Sequence, residues 1–349
     1  MIHPVPSGSR DVLPDEMREM RAIEAAVRDV FASAGYGEVS TPALEFESVL
    51  ARGDIAGTRP AHRFLDEHGT VLVLRSDMTL PIARLVATRY PTADPPLRFC
   101  YLAPVYRAVR PARGQTRELL QAGIELIGAP APDGTAEALS ILASGLEAAG
   151  LDRFRVGLGD ASLFPALLDG LGVAPEPRAA LLEALVARDF VGLTRAVSSA
   201  GLDAATSRTL TELPARRGGP EVLAAAEQAA GGGPAGAVVG KALSGLRLIL
   251  ERVNESVADR MIFDLGLTGG LGYYTGAIFE VYDPALGAPL GRGGRYDELL
   301  GRFGRPLPAV GFALDLQLVH QALMGEEGAM VSRAPAQVAS APASSTSDR

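Results

Sequence analysis

Strand-like runs lie on both sides of a long stretch that carries none, and this interruption constrains the fold more than any other feature of the chain. From residue 163 to about 252 the sequence is mainly Ala, Leu, Arg and Gly at helical spacing, broken at Pro175, Pro177, Pro214 and Gly231-Gly232-Gly233-Pro234. Before it, apolar strand-like runs fall at 70–74, 97–106, 123–128 and 154–158, with a helical pattern at about 135–149. After it they return at 261–265, 273–282 and 308–314, followed by a helix over about 315–323. Strands in meander-like succession, with helices unevenly distributed, favour an α+β domain around a largely antiparallel sheet over a doubly wound parallel one. The expected organisation is a core from 1–162 and 253–325, a helical insertion at 163–252, and a disordered tail at 326–349, where small polar residues lack periodicity.

Residues 14–34 form an amphipathic helical pattern. Asp15 and Glu16 suit the first turn, where acids oppose the helix dipole, and Met17, Met20, Ile23, Val27, Val30 and Phe31 recur at helical spacing. Gly35 is placed to end it. The stripe reads as core or dimer contact.

Composition excludes several classes. The chain has 349 residues, 47% of them hydrophobic, enough for two domains or one large domain with an insertion. A net charge of -8 argues against broad nucleic-acid binding, which needs a basic surface. One cysteine, Cys100, rules out an intrachain disulfide or a thiolate metal cage. The four histidines (His3, His62, His68, His320) lack the i, i+4 spacing of a helical ligand pair, so neither metal nor cofactor is expected. No apolar run approaches the roughly 20 residues of a membrane span, and prolines occupy the N-terminus where a signal peptide is apolar. A cytoplasmic protein without membrane contact is expected. Gly240-Lys241 is followed by Ala242 and is no P-loop, and no G-x-S-x-G elbow occurs.

Several segments carry chemistry. Leu74-Arg75-Ser76-Asp77-Met78-Thr79 places an arginine and an acid before a helical run, as an ion pair or a ligand contact. Tyr106 to Gln121 contains Arg107, Arg110, Arg113 and Arg117, a basic patch in an acidic protein that is either a solvated loop, an anion site or a docking surface. Gln121 and Glu125 offer an amide and a carboxylate, and Tyr273 and Tyr274 offer aromatic walls. Gly293-Gly294-Arg295-Tyr296-Asp297 is a further glycine-rich segment, of a kind that also occurs at strand-to-helix turns for purely structural reasons.

Together these segments, over about residues 7–323, resemble the core of histidyl-tRNA synthetases, class II enzymes. Residues 268–280 (TGGLGYYTGAIFE) are similar to the signature R-G-L-D-Y-Y-T-G-x-x-F-E, with Gly269 where the arginine belongs and Gly272 where the aspartate belongs. Residues 6–14 resemble the family's N-terminal segment, 42–45 its motif 1 strand at a dimer interface, and 106–121 its motif 2, with Val109 for a glutamate and Gln115 for an arginine. Residues 311–318 resemble motif 3, but Gln317 and Leu318 replace a glutamate and an arginine.

The Asp77-Met78-Thr79 sequence with Ile82-Ala83-Arg84 matches better a paralogous family, the regulatory subunits of ATP phosphoribosyltransferase. That resemblance implies a class II synthetase-like fold and no adenylation chemistry, because preorganised cations carry most of the stabilisation when charge develops at phosphorus. It implies a histidine pocket lined by Asp77, Thr79, Gln121, Glu125, Tyr273 and Tyr274, and an anion contact at Arg107 and Arg117. It further implies a dimer through the core and a hetero-oligomer with a short catalytic subunit, serving the first step of histidine biosynthesis under feedback by L-histidine. No tRNA is expected as partner, since only a short Ala/Ser-rich stretch follows motif 3. Two other readings stay open: a truncated amino-acid-activating ligase, and a stand-alone histidine sensor.

Overall fold

The computed structural model describes residues 5–53, 61–108, 116–270 and 272–333. His3, Val109, Arg110, Arg113, Gln115 and the segment 334–349 of the expected tail lie outside these residues. Its strands are β1 (Gly37–Glu38), β2 (Leu44–Phe46), β3 (Arg63–Leu65), β4 (Val71–Leu74), β5 (Leu97–Tyr106) and β6 (Glu118–Ile127). They continue with β7 (Arg155–Asp160), β8 (Arg217–Gly218), β9 (Met261–Asp264), β10 (Ala277–Tyr282), β11 (Gly291–Arg295) and β12 (Ala309–Asp315). Nine of them make one sheet in the order β1-β5-β6-β12-β11-β10-β7-β9-β8, and β2-β4-β3 make a second. Only β1–β5 and β7–β9 pair in parallel, so the main sheet is mostly antiparallel, as the strand succession predicts.

The first helix, Pro14–Ser33, follows its sequence signals. Pro14 occupies the first turn, where its missing N–H costs nothing, and Gly35 ends the helix at φ +82°. Met20, Ile23, Val27 and Phe31 are buried in the main core, where Phe31 meets Phe312 edge-on at 5.9 Å. Burying each such side chain contributes roughly 1.5–3 kcal/mol. The helix packs against Asp133–Ala148 and the final helix, so the three cover one face of the sheet.

Between β7 and β9 the chain is helical, as the composition change predicts, with Leu163–Gly170, Pro175–Val186, Phe190–Ser199, Ala204–Glu212, Glu221–Ala230 and Gly233–Leu250. Its leucines 181, 185, 193, 210, 223 and 243 join the same contiguous core. The two-residue strand β8 inside this stretch extends the main sheet beside β9.

Three boundaries differ from the sequence reading. The strand at 273–282 begins only at Ala277, leaving Tyr273 and Tyr274 on the preceding loop. Residues 293–295 of the glycine-rich segment 293–297 belong to the strand Gly291–Arg295, whose glycines let it lie between β10 and β12. The final helix runs Leu316–Arg333, past the expected end at 323. Glu326 explains the extension: it is 7% exposed and accepts the backbone N–H groups of Asp152 at 3.3 Å and Arg153 at 3.0 Å.

The other face of the sheet is covered differently. The helix Thr79–Arg89 buries Leu80, Ile82, Ala83 and Val86 in a second core with Tyr101, Val105, Tyr273, Tyr296, Leu299 and Leu300. Arg75 ties this face to the small sheet, since its guanidinium donates to the carbonyls of Thr41 at 2.5 Å, Pro42 at 3.3 Å and Pro104 at 2.9 Å. The buried Glu45 of β2 accepts two bonds from Arg84, at 2.8 and 2.6 Å.

Candidate functional site

Side chains alternate along a strand, so Leu119, Gln121, Gly123 and Glu125 of β6 all point to this second face. Beside them the register sets Asp315 opposite Gln121, Ala313 opposite Gly123 and Gly311 opposite Glu125. Arg292 then lies opposite Ala313 and Gly294 opposite Gly311. The small residues at 123, 294 and 311 make space on this face for the side chains of Tyr101, Tyr274 and Glu125, which lie directly over them. Glu125 is 1% exposed, and Arg117, just before β6 begins, lies about 26 Å from it along the chain direction.

Glu125 is the chemical centre. Its carboxyl accepts the Thr79 hydroxyl at 2.7 Å and the Tyr296 hydroxyl. Gly311 is needed beside it, because a β-carbon there would collide with the carboxyl. Among the described residues no arginine, lysine or histidine pairs with it. Burial pushes its pKa up to about 8 against the pull of the Thr79 bond. A buried acid surrounded by hydroxyls suits a cationic nitrogen, which would supply the missing counter-charge.

The other expected residues distribute around it. Tyr273 is 3% exposed, and its ring lies 4.9 Å from that of Tyr274 and 5.6 Å from that of Tyr296. Gln121 is buried, and its Oε1 has no hydrogen-bond partner among the described residues, so it offers an acceptor. Asp77 Oδ1 accepts the N–H of Leu80 at 3.0 Å, fixing the start of the helix that carries Thr79. The expected Arg75 contact is structural, as its bonds run to backbone carbonyls.

Arg107 and Arg117 face each other at the hairpin end, where the Arg107 N–H donates to the Arg117 carbonyl at 2.8 Å. Arg107 is exposed and also acts on Asp315, whose carboxyl is pushed up by burial and pulled down by Arg107 and two backbone N–H groups. The Arg117 Nε is buried without a hydrogen-bond partner among the described residues.

Two departures from the synthetase pattern have structural consequences. Gly272 has φ +69°, a left-handed conformation that an aspartate adopts with strain. Leu318 packs against the main core, and its N–H donates to Asp315 at 3.3 Å. Tyr296 is the Glu125 partner that the sequence reading did not single out. Its position within Gly293 to Asp297 was the available signal.

Burial of Glu125 carries a pH signature. With a folded pKa near 8, against an ordinary value of 4.5, the folded state holds a proton that the unfolded chain releases between those limits. The unfolded state therefore binds fewer protons, and stability falls as pH rises from about 5 to 8, by up to about 1.4 kcal/mol per unit. Urea unfolding across that range should show the decline in the native protein and its loss in Glu125→Gln. Equal slopes in both proteins would contradict the assignment.

Among the described residues no helix is long and apolar enough to cross a membrane, and no group of three or more His, Cys, Asp and Glu is placed to hold a metal ion. The histidyl-tRNA synthetase family model matches residues 8–319. A protein named ATP phosphoribosyltransferase regulatory subunit from Symbiobacterium thermophilum is 43% identical over 326 residues, covering 93% of this chain and 80% of that one. Another of that name from an Anaeromyxobacter species is 40% identical, covering 93% and 94%. A crystal structure described as an ATP phosphoribosyltransferase regulatory subunit/histidyl-tRNA synthetase from Bacillus halodurans superposes with a TM-score of 0.83 at 33% identity, over 93% of this chain and 84% of that one. The histidyl-tRNA synthetase of a Nostoc species shares the fold at a TM-score of 0.77 and 21% identity, over 94% and 76%. The chain therefore belongs to the histidyl-tRNA synthetase family, in its branch of ATP phosphoribosyltransferase regulatory subunits.

Proposed function

We propose that the chain is a non-catalytic subunit that a short ATP phosphoribosyltransferase catalytic chain requires for activity, and that it confers feedback by L-histidine bound beside Glu125. Asp77, Thr79, Gln121, Glu125, Tyr273 and Tyr274 are the proposed contacts, and Arg107 with Arg117 a retained anion contact at the hairpin. The observation that carries this reading is the burial of Glu125 among Thr79, Tyr273 and Tyr296, in a chain that has Gly269 and Leu318 where the synthetase pattern has arginines to stabilise a phosphoryl transition state. Binding groups are kept and the charge-stabilising groups are gone. The chain thus has no adenylation activity of its own, and it acts in the cytoplasm as a dimer joined to the catalytic chain.

Feedback requires that L-histidine bind the active and inactive states of the complex unequally, since a ligand indifferent to both shifts neither. The partner claim is tested by mixing a short catalytic chain with this protein, then measuring co-elution and formation of phosphoribosyl-ATP. Co-elution with a large gain in turnover is expected. Separate elution with unchanged turnover would overturn the reading.

A further inference from the structure

The end of the final helix brings one buried acid against another. Glu326 is 7% exposed, and Asp283, the residue after β10, is 2% exposed. The backbones set this meeting: a β-carbon at Gly325 would lie 2.6 Å from that of Ala285, so the helix sits directly on the turn that carries Asp283. Asp283 Oδ1 accepts the N–H of Ala285 at 2.7 Å, and its carbonyl accepts that of Leu286 at 3.1 Å, which fixes the turn. Leu286 and Leu323 pack against the main core on the two sides of the contact.

The two acids have different surroundings. Glu326 accepts the backbone N–H groups of Asp152 and Arg153, and Arg153 Nε lies 3.6 Å from its Oε1, so its negative charge is met. Asp283 Oδ2 is buried and finds no N–H or hydroxyl donor among the described residues. What it faces is the Glu326 carboxyl, and two carboxyls bond only if one of them carries a proton. The acid poorer in donors holds it, so Asp283 donates and Glu326 accepts. Burial raises the Asp283 pKa against the pull of the Ala285 N–H, and Glu326 adds to the rise. Burial also opposes the charge on Glu326, but the Asp283 bond, the two backbone N–H groups and Arg153 outweigh it and lower that pKa. Other charged groups of the adjoining segments are turned elsewhere: the Asp152 and Arg155 side chains are exposed, and Arg260 holds the Asp152 carbonyl and Glu147.

We propose that Asp283 and Glu326 are a proton-operated clasp that fastens the end of the final helix to the turn between β10 and β11. With the proton in place the helix end is docked. When Asp283 gives that proton to water, two negative charges meet in a buried site where Arg153 offsets one of them, and the helix end detaches. Detachment returns Asp283 to its ordinary value of 3.8, so opening releases a proton. Docking therefore weakens as pH rises from that value to the raised one, and levels off above it.

Hydrogen–deuterium exchange of the full chain, followed from pH 4.5 to 8 and corrected for intrinsic exchange, tests the clasp. Protection of amides 323–333 should fall roughly threefold or more, with a slope of at most about tenfold per pH unit for one proton. The first helix, Pro14–Ser33, is the reference in the same samples, separating a local release from the whole-protein decline expected of Glu125. Asp283→Asn carries an amide that donates to Glu326 at every pH, so its helix end should show flat protection. If that variant does not fold, Glu326→Gln, whose amide donates to an ionised Asp283, should remove the fall in its place. Constant protection in the native protein, a fall that the first helix matches, or the same local fall in the variant would overturn the proposal.

Discussion

With Glu125 replaced by alanine, the affinity for L-histidine measured by calorimetry falls roughly 30- to 700-fold, and feedback on the catalytic partner is lost with it. The magnitude follows from removing one member of a buried charge-assisted contact, about 2–4 kcal/mol. Glu125 is 1% exposed and bonded by Thr79 and Tyr296, so water replaces the carboxyl poorly. Thr79→Val should give a smaller loss in the same direction, because it removes a donor that orients the acid and leaves the acid in place. Unchanged affinity in Glu125→Ala would place the ligand elsewhere, at a subunit interface for example. The fold should survive the substitution, since loss of a buried acid held near pKa 8 also removes the cost of keeping that acid protonated at neutral pH.

The second large effect is on stability. Arg75→Ala should lower unfolding free energy by about 3–5 kcal/mol, because it leaves three buried or half-buried carbonyls, those of Thr41, Pro42 and Pro104, without their donor. These bonds hold β2 and β4 against the end of β5, so the loss should be felt across the second core. Arg75→Lys should recover little of it, since an ammonium cannot reproduce the planar fork that reaches carbonyls on two segments. Urea unfolding measures both. A loss below about 1 kcal/mol for Arg75→Ala would mean that water satisfies those carbonyls.

The sequence made much of this architecture legible, for reasons visible at particular residues. The first helix announces itself through Pro14, the acids at 15 and 16, the apolar spacing and Gly35. Strand β5 is delimited at Leu97 and Tyr106 by turn residues on one side and a basic run on the other. Strand β11 was obscured because glycine has low strand propensity, and its glycines are explained by close approaches: of Leu314 and the Ala313 carbonyl at Gly291, of Phe279 and the Gly311 carbonyl at Gly293, and of Tyr274 and the Ala277 carbonyl at Gly294. The last turns of the final helix were obscured because Gly325-Glu326-Glu327 looks like the start of a polar tail, whereas Glu326 is tied to the backbone at 152 and 153. Among the candidate site residues, Thr79 and Glu125 meet directly, and Tyr273 with Tyr274 forms the wall. The role of Tyr296 depends on its contact with Glu125, which is far away in sequence and which no local pattern encodes.

The most direct test of the central claim is transferase activity of the catalytic chain with this protein present, titrated with L-histidine. The account predicts activity that L-histidine suppresses in the native complex and that persists, unsuppressed, in the Glu125→Ala complex. Activity indifferent to L-histidine in the native complex would contradict it.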